Sequence, residues 1–286
     1  MTRVIYVNGQ YRPYDAAFIH AEDRGFQFAD AVYEVCEVRD GRIVDETRHL
    51  ERLARSLGEL MIRRPMSQGA WQIVIRETIR RNRVSNGIVY IQVSRGAAPR
   101  DFLFPDAHTQ PTVVCLARPT SRPAGARAAA AGIGVTTERD PRWNRCDIKT
   151  VMLLPASLAK ERAGAAGAKE VWFTDSDGFV TEGGSSNAWI VTANDELVTT
   201  PVSNAILKGV TRTTVLDVAE REGLRLVERQ FTPDEAATAR EAFITSASNL
   251  VMPVTQIDGR TIGEGQPGPV AGRLLRAFHE VAELAD

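Results

Sequence analysis

Of the 35 basic residues in this 286-residue chain, only Lys149, Lys160, Lys169 and Lys208 are lysines. Chemistry that needs a lysine amine therefore has four candidates. Lys149 lies in the mostly uncharged stretch IKTVMLLPASLA, directly ahead of an apolar helical segment. Partial desolvation there lowers an ammonium's pKa and frees the amine to attack a carbonyl as a Schiff-base nucleophile. On residue type alone, a lysine snorkelling from a helix start is the commoner occurrence. Lys160 and Lys169 flank a Glu/Arg/Gly region, and Lys208 precedes a helix.

Three more clusters follow in the same half of the chain. Thr181-Glu182-Gly183-Gly184-Ser185-Ser186-Asn187 surrounds one carboxylate with small residues, which admit a flat ligand close to the backbone. Taken alone, it also reads as a polar loop between strands. Lys208-Gly209-Val210-Thr211-Arg212 opens an amphipathic helix with free N–H groups, a hydroxyl and the positive dipole end, which suits a phosphate. An ordinary capped helix has the same appearance. Ile244-Thr245-Ser246-Ala247-Ser248-Asn249 adds a weaker phosphate cue. An amine, a carboxylate and two phosphate-friendly turns together point to an aldehyde cofactor with a ring nitrogen and a phosphate, pyridoxal phosphate.

Other signatures are missing. The sequence has no G-x-x-x-x-G-K-[ST] loop, no strand–G-x-G-x-x-G–helix unit and no G-x-S-x-G elbow. The four histidines, His20, His49, His108 and His279, show no metal-ligand spacing, so no metal site is expected. Asp175-Ser176-Asp177-Gly178 begins like a calcium loop but reads as a hairpin turn. Cys36, Cys115 and Cys146 have no C-x-x-C spacing, and their odd number argues against a disulfide scaffold.

The elements that must carry these clusters follow from periodicity. Asn8-Gly9 and Asp40-Gly41 mark hairpins near the start, the second following the strand Tyr33 to Val38. Leu50, Leu53, Leu57 and Leu60 predict a helix from Thr47, its N-cap, to Met61. Trp71, Val74, Ile75 and Ile79 predict another over 67–83. Strands are expected over 87–94 and 111–117, and later near 133–138, 170–174, 187–192, 224–230, 242–245 and 254–257. Helices are expected near 151–166, 209–223 and 269–283. The Pro/Gly/Arg/Ala-rich strip 119–131 reads as a linker, although its alanine run also suits a short helix. The division expected is a small N-terminal α/β domain (1–118), the linker (119–131) and a larger C-terminal domain (132–286). Mixed helices and hairpins without regular βαβ alternation indicate α+β.

Composition agrees with a globular chain: 43% hydrophobic and 25% charged residues, with a net charge of −1. That balance gives no basic field for nucleic acid. No apolar run approaches the length that spans a membrane, and the start MTRVIYVNGQ lacks a leader's apolar core. A soluble, cytoplasmic protein is expected.

Seven segments occur in the order of a known family: EDRGFQFADAVYEV (22–35), HLERL (49–53), YIQVSRGAAPR (90–100), RWNRCDIKT (142–150), TEGGSSN (181–187), LKGVTR (207–212) and FITSASN (243–249). Over nearly its whole length the chain resembles the fold-type IV pyridoxal-phosphate aminotransferases, most closely the bacterial D-amino-acid aminotransferases. The resemblance implies a two-domain α+β fold and pyridoxal 5'-phosphate as cofactor. It implies that Lys149 forms the Schiff base and moves a proton, and that Glu182 pairs with the ring nitrogen. It gives Arg52, Val210, Thr211 and Ala247 to the phosphate and Leu207 to the ring, and Ser246, beside Ala247, is a further cofactor-binding candidate. Tyr33 and Arg100 fall around the substrate α-carboxylate. The matching arginine comes from a partner subunit, so the resemblance also implies a homodimer with a shared active site, acting on amino acids and keto acids. Such D-amino-acid enzymes commonly carry histidine two residues after that arginine. Here Phe102 replaces this donor with an apolar ring, which loosens carboxylate recognition.

The function expected is transamination of D-amino acids, such as D-alanine with 2-oxoglutarate. Alternatives of the same fold are an (R)-amine or branched-chain aminotransferase, or an aminodeoxychorismate-lyase-like enzyme. Outside that class stands a non-catalytic small-molecule binding protein, against which Lys149 and Glu182 argue.

Overall fold

The computed structural model describes residues 3–285; the first two residues of the MTRVIYVNGQ start lie outside the described residues. The chain divides into two compact units. One runs through Ser121 and takes in Ile148–Met152 and the residues from Glu283 onward; the other holds Arg122–Asp147 and Leu153–Ala282.

The first unit is a seven-stranded antiparallel sheet with helices. Strands β1 (Val4–Val7) and β2 (Gln10–Pro13) flank the Asn8-Gly9 turn. The short helix α1 (Arg24–Phe28) leads into β3 (Ala31–Arg39), which turns at Asp40-Gly41 into β4 (Arg42–Val44). Both turns place their two central residues at positive φ, the conformation Asn-Gly and Asp-Gly hairpins require. Helices α2 (Glu46–Glu59) and α3 (Gln68–Asn82) precede β5 (Asn86–Ser94) and β6 (Thr112–Pro119). The strand order is Leu284–Ala285, β4, β3, β5, β6, β1, β2. Leu50, Leu53 and Leu57 of α2 and Trp71, Val74, Ile75 and Ile79 of α3 pack into one core with Val32, Val89 and Ile91 of the sheet. The predicted N-cap of α2 is displaced: Asp45 holds that position in a left-handed conformation, and the Thr47 hydroxyl donates to Glu283 Oε1 at 2.8 Å.

Residues 148–152, expected within the C-terminal domain, group with this first unit. Ile148 is buried in its core. Thr150 bridges Val32 in antiparallel fashion, and Val151 N–H donates to Ala31 C=O at 3.1 Å. One apolar anchor and a short ladder on β3 thus fix the stretch that carries Lys149.

In the second unit, α4 (Arg122–Ala131) covers most of the strip 119–131. It is followed by β7 (Ile133–Arg139), α5 (Leu154–Ala165), β8 (Glu170–Thr174), β9 (Val180–Gly183), β10 (Asn187–Val191) and β11 (Glu196–Thr199). Then come α6 (Val210–Arg221), β12 (Arg225–Glu228), α7 (Pro233–Thr238), β13 (Glu241–Ser246), β14 (Leu250–Ile257), β15 (Arg260–Thr261) and α8 (Pro269–Val281). The sheet runs β12-β11-β10-β13-β14-β7-β8-β9, with β15 on β14. It is mixed: β11–β12, β14–β7 and β7–β8 are parallel, and the other pairs are antiparallel. Trp172, Ile190, Val198, Phe231 and Ile244 lie in its core. Among the described residues no helix is long and apolar enough to cross a membrane, and no group of three or more His, Cys, Asp or Glu could hold a metal.

Candidate active site

In the first unit the structure brings Lys149 and Tyr33 together. Tyr33 N–H donates to Lys149 C=O at 3.0 Å, Lys149 N–H to Ser56 Oγ at 3.4 Å, and Lys149 Nζ lies 4.2 Å from the Tyr33 ring centroid. Tyr33 in turn stacks on Tyr90, with ring centroids 5.6 Å apart. Burial, with repulsion from Tyr33, pushes the Tyr90 phenol up to about 12, so it stays neutral and donates to Gln92 Oε1.

Arg52 sits on α2 facing Glu34 of β3. Its Nε donates to Glu34 Oε1 and its Nη2 to Oε2, both at 2.8 Å, a two-point clamp. His49 Nδ1 lies 2.8 Å from Glu34 Oε2. Burial alone would raise the Glu34 carboxyl, but the Arg52 charge and its hydrogen bonds, with His49, outweigh it and hold the group well below the usual carboxylate range.

Arg100 and Phe102 form a separate group on the loop after β5. The exposed Arg100 guanidinium lies 5.2 Å from the Phe28 ring centroid and 5.8 Å from that of Phe102. Phe102 is 81% exposed. Arg24 Nη1 steadies the loop by donating to the carbonyls of Asp101 (2.7 Å) and Leu103 (3.3 Å).

In the second unit Glu182 stands on β9, not in a loop as its small neighbours suggest, and is buried. Oε1 accepts from Arg142 Nη1 at 2.7 Å; Oε2 accepts from Leu207 N–H at 3.0 Å and Asn187 Nδ2 at 3.2 Å. Glu182 and Leu207, named separately by sequence, thus meet. Gly183 and Gly184 do not leave open backbone. A Cβ on Gly183 would come within 2.2 Å of Ser186 Oγ, and one on Gly184 within 2.9 Å of Val171 Cγ1. The chain's own packing explains this Gly-Gly pair.

Val210 and Thr211 open α6 behind Gly209, where no side chain caps the helix. Gly209 has its own reason: a Cβ there would meet Asn187 Oδ1 at 2.2 Å. Ser246 and Ala247 are half-buried at the end of β13, where Ser246 Oγ accepts from Asn249 N–H at 3.2 Å.

Sequence reasoning missed Glu34, His49, Arg142 and Asn187. For Glu34 a signal existed: it alternates with Val32, Cys36 and Val38 on the buried face of β3, a carboxylate in an apolar row. Arg142, Asp140 and Asn187 stand in no such pattern.

Residues 31–257 match the family Amino-transferase class IV. The chain belongs to the class IV amino-transferases. It is 36% identical over 283 residues to the D-alanine aminotransferase of Staphylococcus haemolyticus, covering 99% of both chains. To that of Bacillus licheniformis it is 38% identical, covering 95% of this chain and 94% of the relative. Among solved structures, the Escherichia coli branched-chain amino acid aminotransferase superimposes with a TM-score of 0.91 at 23% identity, covering 98% of this chain and 95% of that one. At that identity the likeness establishes the fold, fold type IV. A branched-chain amino acid aminotransferase from T.th. with pyridoxamine 5'-phosphate gives the same TM-score at 26% identity, covering 98% and 94%. The cofactor of a class IV amino-transferase is pyridoxal 5'-phosphate, and these donors fit it. In the first unit Lys149 is an amine of the type an aldehyde needs and Arg52 a cation of the type a phosphate needs; in the second, Glu182 is a buried carboxylate accepting from Arg142, Leu207 and Asn187, and α6 starts without a side-chain cap.

Proposed function

We propose that the chain is a pyridoxal-phosphate-dependent D-amino-acid transaminase, passing the amino group of a donor such as D-alanine to a keto acid such as 2-oxoglutarate. The full-length likeness to the staphylococcal and Bacillus D-alanine aminotransferases carries this reading. Bound pyridoxal phosphate supplies an aldehyde that captures amines and a ring that withdraws electrons from the substrate Cα.

In this reading Lys149 would hold the aldehyde through its amine. Once a substrate amine has taken its place on the aldehyde, the freed Nζ would carry the proton between the substrate Cα and the cofactor C4′. The pinning of Ile148 and Thr150 on β3 fixes the backbone from which that amine works. Glu182 presents an anion to the ring nitrogen and keeps it protonated. Arg52, the backbone N–H groups at Val210 and Thr211, and Ser246 with Ala247 bind the phosphate. Leu207 packs on the ring. Tyr33, Arg100 and Phe102 meet the substrate, with Arg100 able to pair bidentately with a carboxylate.

The active unit in this reading is a homodimer, with Arg100 serving the partner's site. Its support on this chain is the apolar surface beside Arg100: Phe102, Leu103 and Phe104 are all exposed, as is Phe26. Borohydride reduction of the holoprotein, followed by peptide mapping, tests the reading. The expected product is one cofactor adduct, on Lys149. An adduct on Lys208 overturns the assignment.

A further inference from the structure

Glu182 is gripped from one side by a cation that is itself gripped. Arg142 Nη1 meets Glu182 Oε1 at 2.7 Å, while Arg142 Nε and Nη2 close a two-point clamp on Asp140 at 3.0 and 2.8 Å. The guanidinium also lies 4.6 Å from the centroid of the Phe173 ring, so its plane is fixed by contacts on several sides. The side chains of Arg142, Asp140 and Glu182 are 13%, 17% and 5% exposed. A buried ion chain of this kind costs desolvation that a well-packed apolar cluster would avoid, so stability alone gives it little reason to exist.

The three contacts on Glu182 described above all come from donors: Arg142, Leu207 N–H and Asn187 Nδ2. They suit a carboxylate that accepts, and none of them offers an acceptor for a carboxylic O–H. We propose that Arg142, clamped by Asp140, is a positioning residue that keeps Glu182 ionised, so that the proton shared with a ring nitrogen resides on the nitrogen. This rests on the reading that Glu182 faces the pyridine nitrogen. An adjacent cation lowers the proton affinity of the nearer carboxylate more than that of the nitrogen beyond it. Without Arg142, a buried Glu182 takes the proton and leaves a neutral pyridine, a weaker electron sink.

The test reads the proton directly. The holoprotein is reconstituted with pyridoxal 5'-phosphate labelled with 15N in the ring, and the nitrogen resonance is compared at one pH among wild type, Arg142→Gln, Arg142→Lys, Asp140→Asn and Glu182→Gln. Wild type is expected at the protonated position and Glu182→Gln at the neutral one. Arg142→Gln is expected to move most of the way to neutral. Arg142→Lys, which keeps the charge, is expected to return toward wild type. Asp140→Asn, which unpins Arg142 without removing it, is expected to shift partway, and it carries the test if Arg142→Gln does not fold. If Glu182→Gln moves the resonance while the Arg142 and Asp140 variants leave it in place, Arg142 serves packing alone and the proposal is overturned. If Glu182→Gln leaves it in place, the assignment of Glu182 itself fails and the proposal falls with it.

Discussion

Each unit buries an arginine–carboxylate pair, and the two pairs point in opposite chemical directions. In the first unit the fully buried Glu34 fixes Arg52 with two hydrogen bonds, and the role proposed for Arg52 is that of a cation. In the second, Asp140 fixes Arg142 and Arg142 fixes Glu182, and the role proposed for Glu182 is that of an anion. A phosphate calls for the first arrangement and a protonated ring nitrogen for the second. Neither pair is an economical way to stabilise a core. In both, the group proposed to meet the cofactor, Arg52 or Glu182, stands last in the chain, and the groups before it hold it in place.

Lys149 lies outside both pairs, and removing it is expected to have the largest effect. Lys149→Ala should lower turnover at least about 10⁴-fold while the protein stays folded, measured by pyruvate release from D-alanine and by circular dichroism. The anionic pair comes next. Glu182→Gln should retain cofactor by absorbance yet lose about 10²- to 10³-fold in kcat, since only the charge facing the ring has gone. A variant as fast as wild type would break the assignment of the second pair.

The cationic pair is sharpened by stability. Glu34→Gln leaves Arg52 buried without its counter-charge and should cost about 3–5 kcal/mol near neutral pH, read from denaturant melts. Because the Glu34 carboxyl is held below its ordinary value, its contribution is fully present above about pH 4.3, the unfolded value, and is lost as pH falls through the lower folded one. The gap between wild type and variant should therefore narrow in acid. A gap that stays constant down to the acid limit would show that the charge is not what Glu34 contributes.

Much of this arrangement was legible in the sequence. The leucine spacing of α2 and the Asn-Gly and Asp-Gly turns read directly because they depend on neighbours. Lys149 stood out by its uncharged surroundings, and Glu182 by being the one carboxylate among small residues. What could not be read were the partners. Arg142 and Glu182 are 40 residues apart, and Arg52 and Glu34 are 18 apart on a helix and a strand. No local period links them. Thr47 does not cap α2 for the same reason, since its hydroxyl donates to Glu283, 236 residues away. The strand β9 was hidden by its own small residues, whose Gly183-Gly184 pair serves chain packing.

The smallest effects belong to the loop that carries Arg100 and Phe102. Arg100→Ala should raise KM for D-alanine about ten- to a hundredfold, and that for an (R)-amine much less, because only the first has a carboxylate to lose. Phe102→His should tighten D-alanine binding about threefold to tenfold and depress amine turnover, by adding a donor where an apolar ring now stands. Equal losses for both substrates in Arg100→Ala would mean that Arg100 acts through folding or assembly.

D-amino-acid transamination is tested by a single half-reaction. Holoprotein is mixed with D-alanine or with L-alanine, without a keto acid, and pyruvate and the visible absorbance of the bound cofactor are followed together. About one pyruvate per cofactor and loss of the absorbance band are expected with D-alanine, and neither with L-alanine. Pyruvate and band loss with L-alanine, and none with D-alanine, would contradict it.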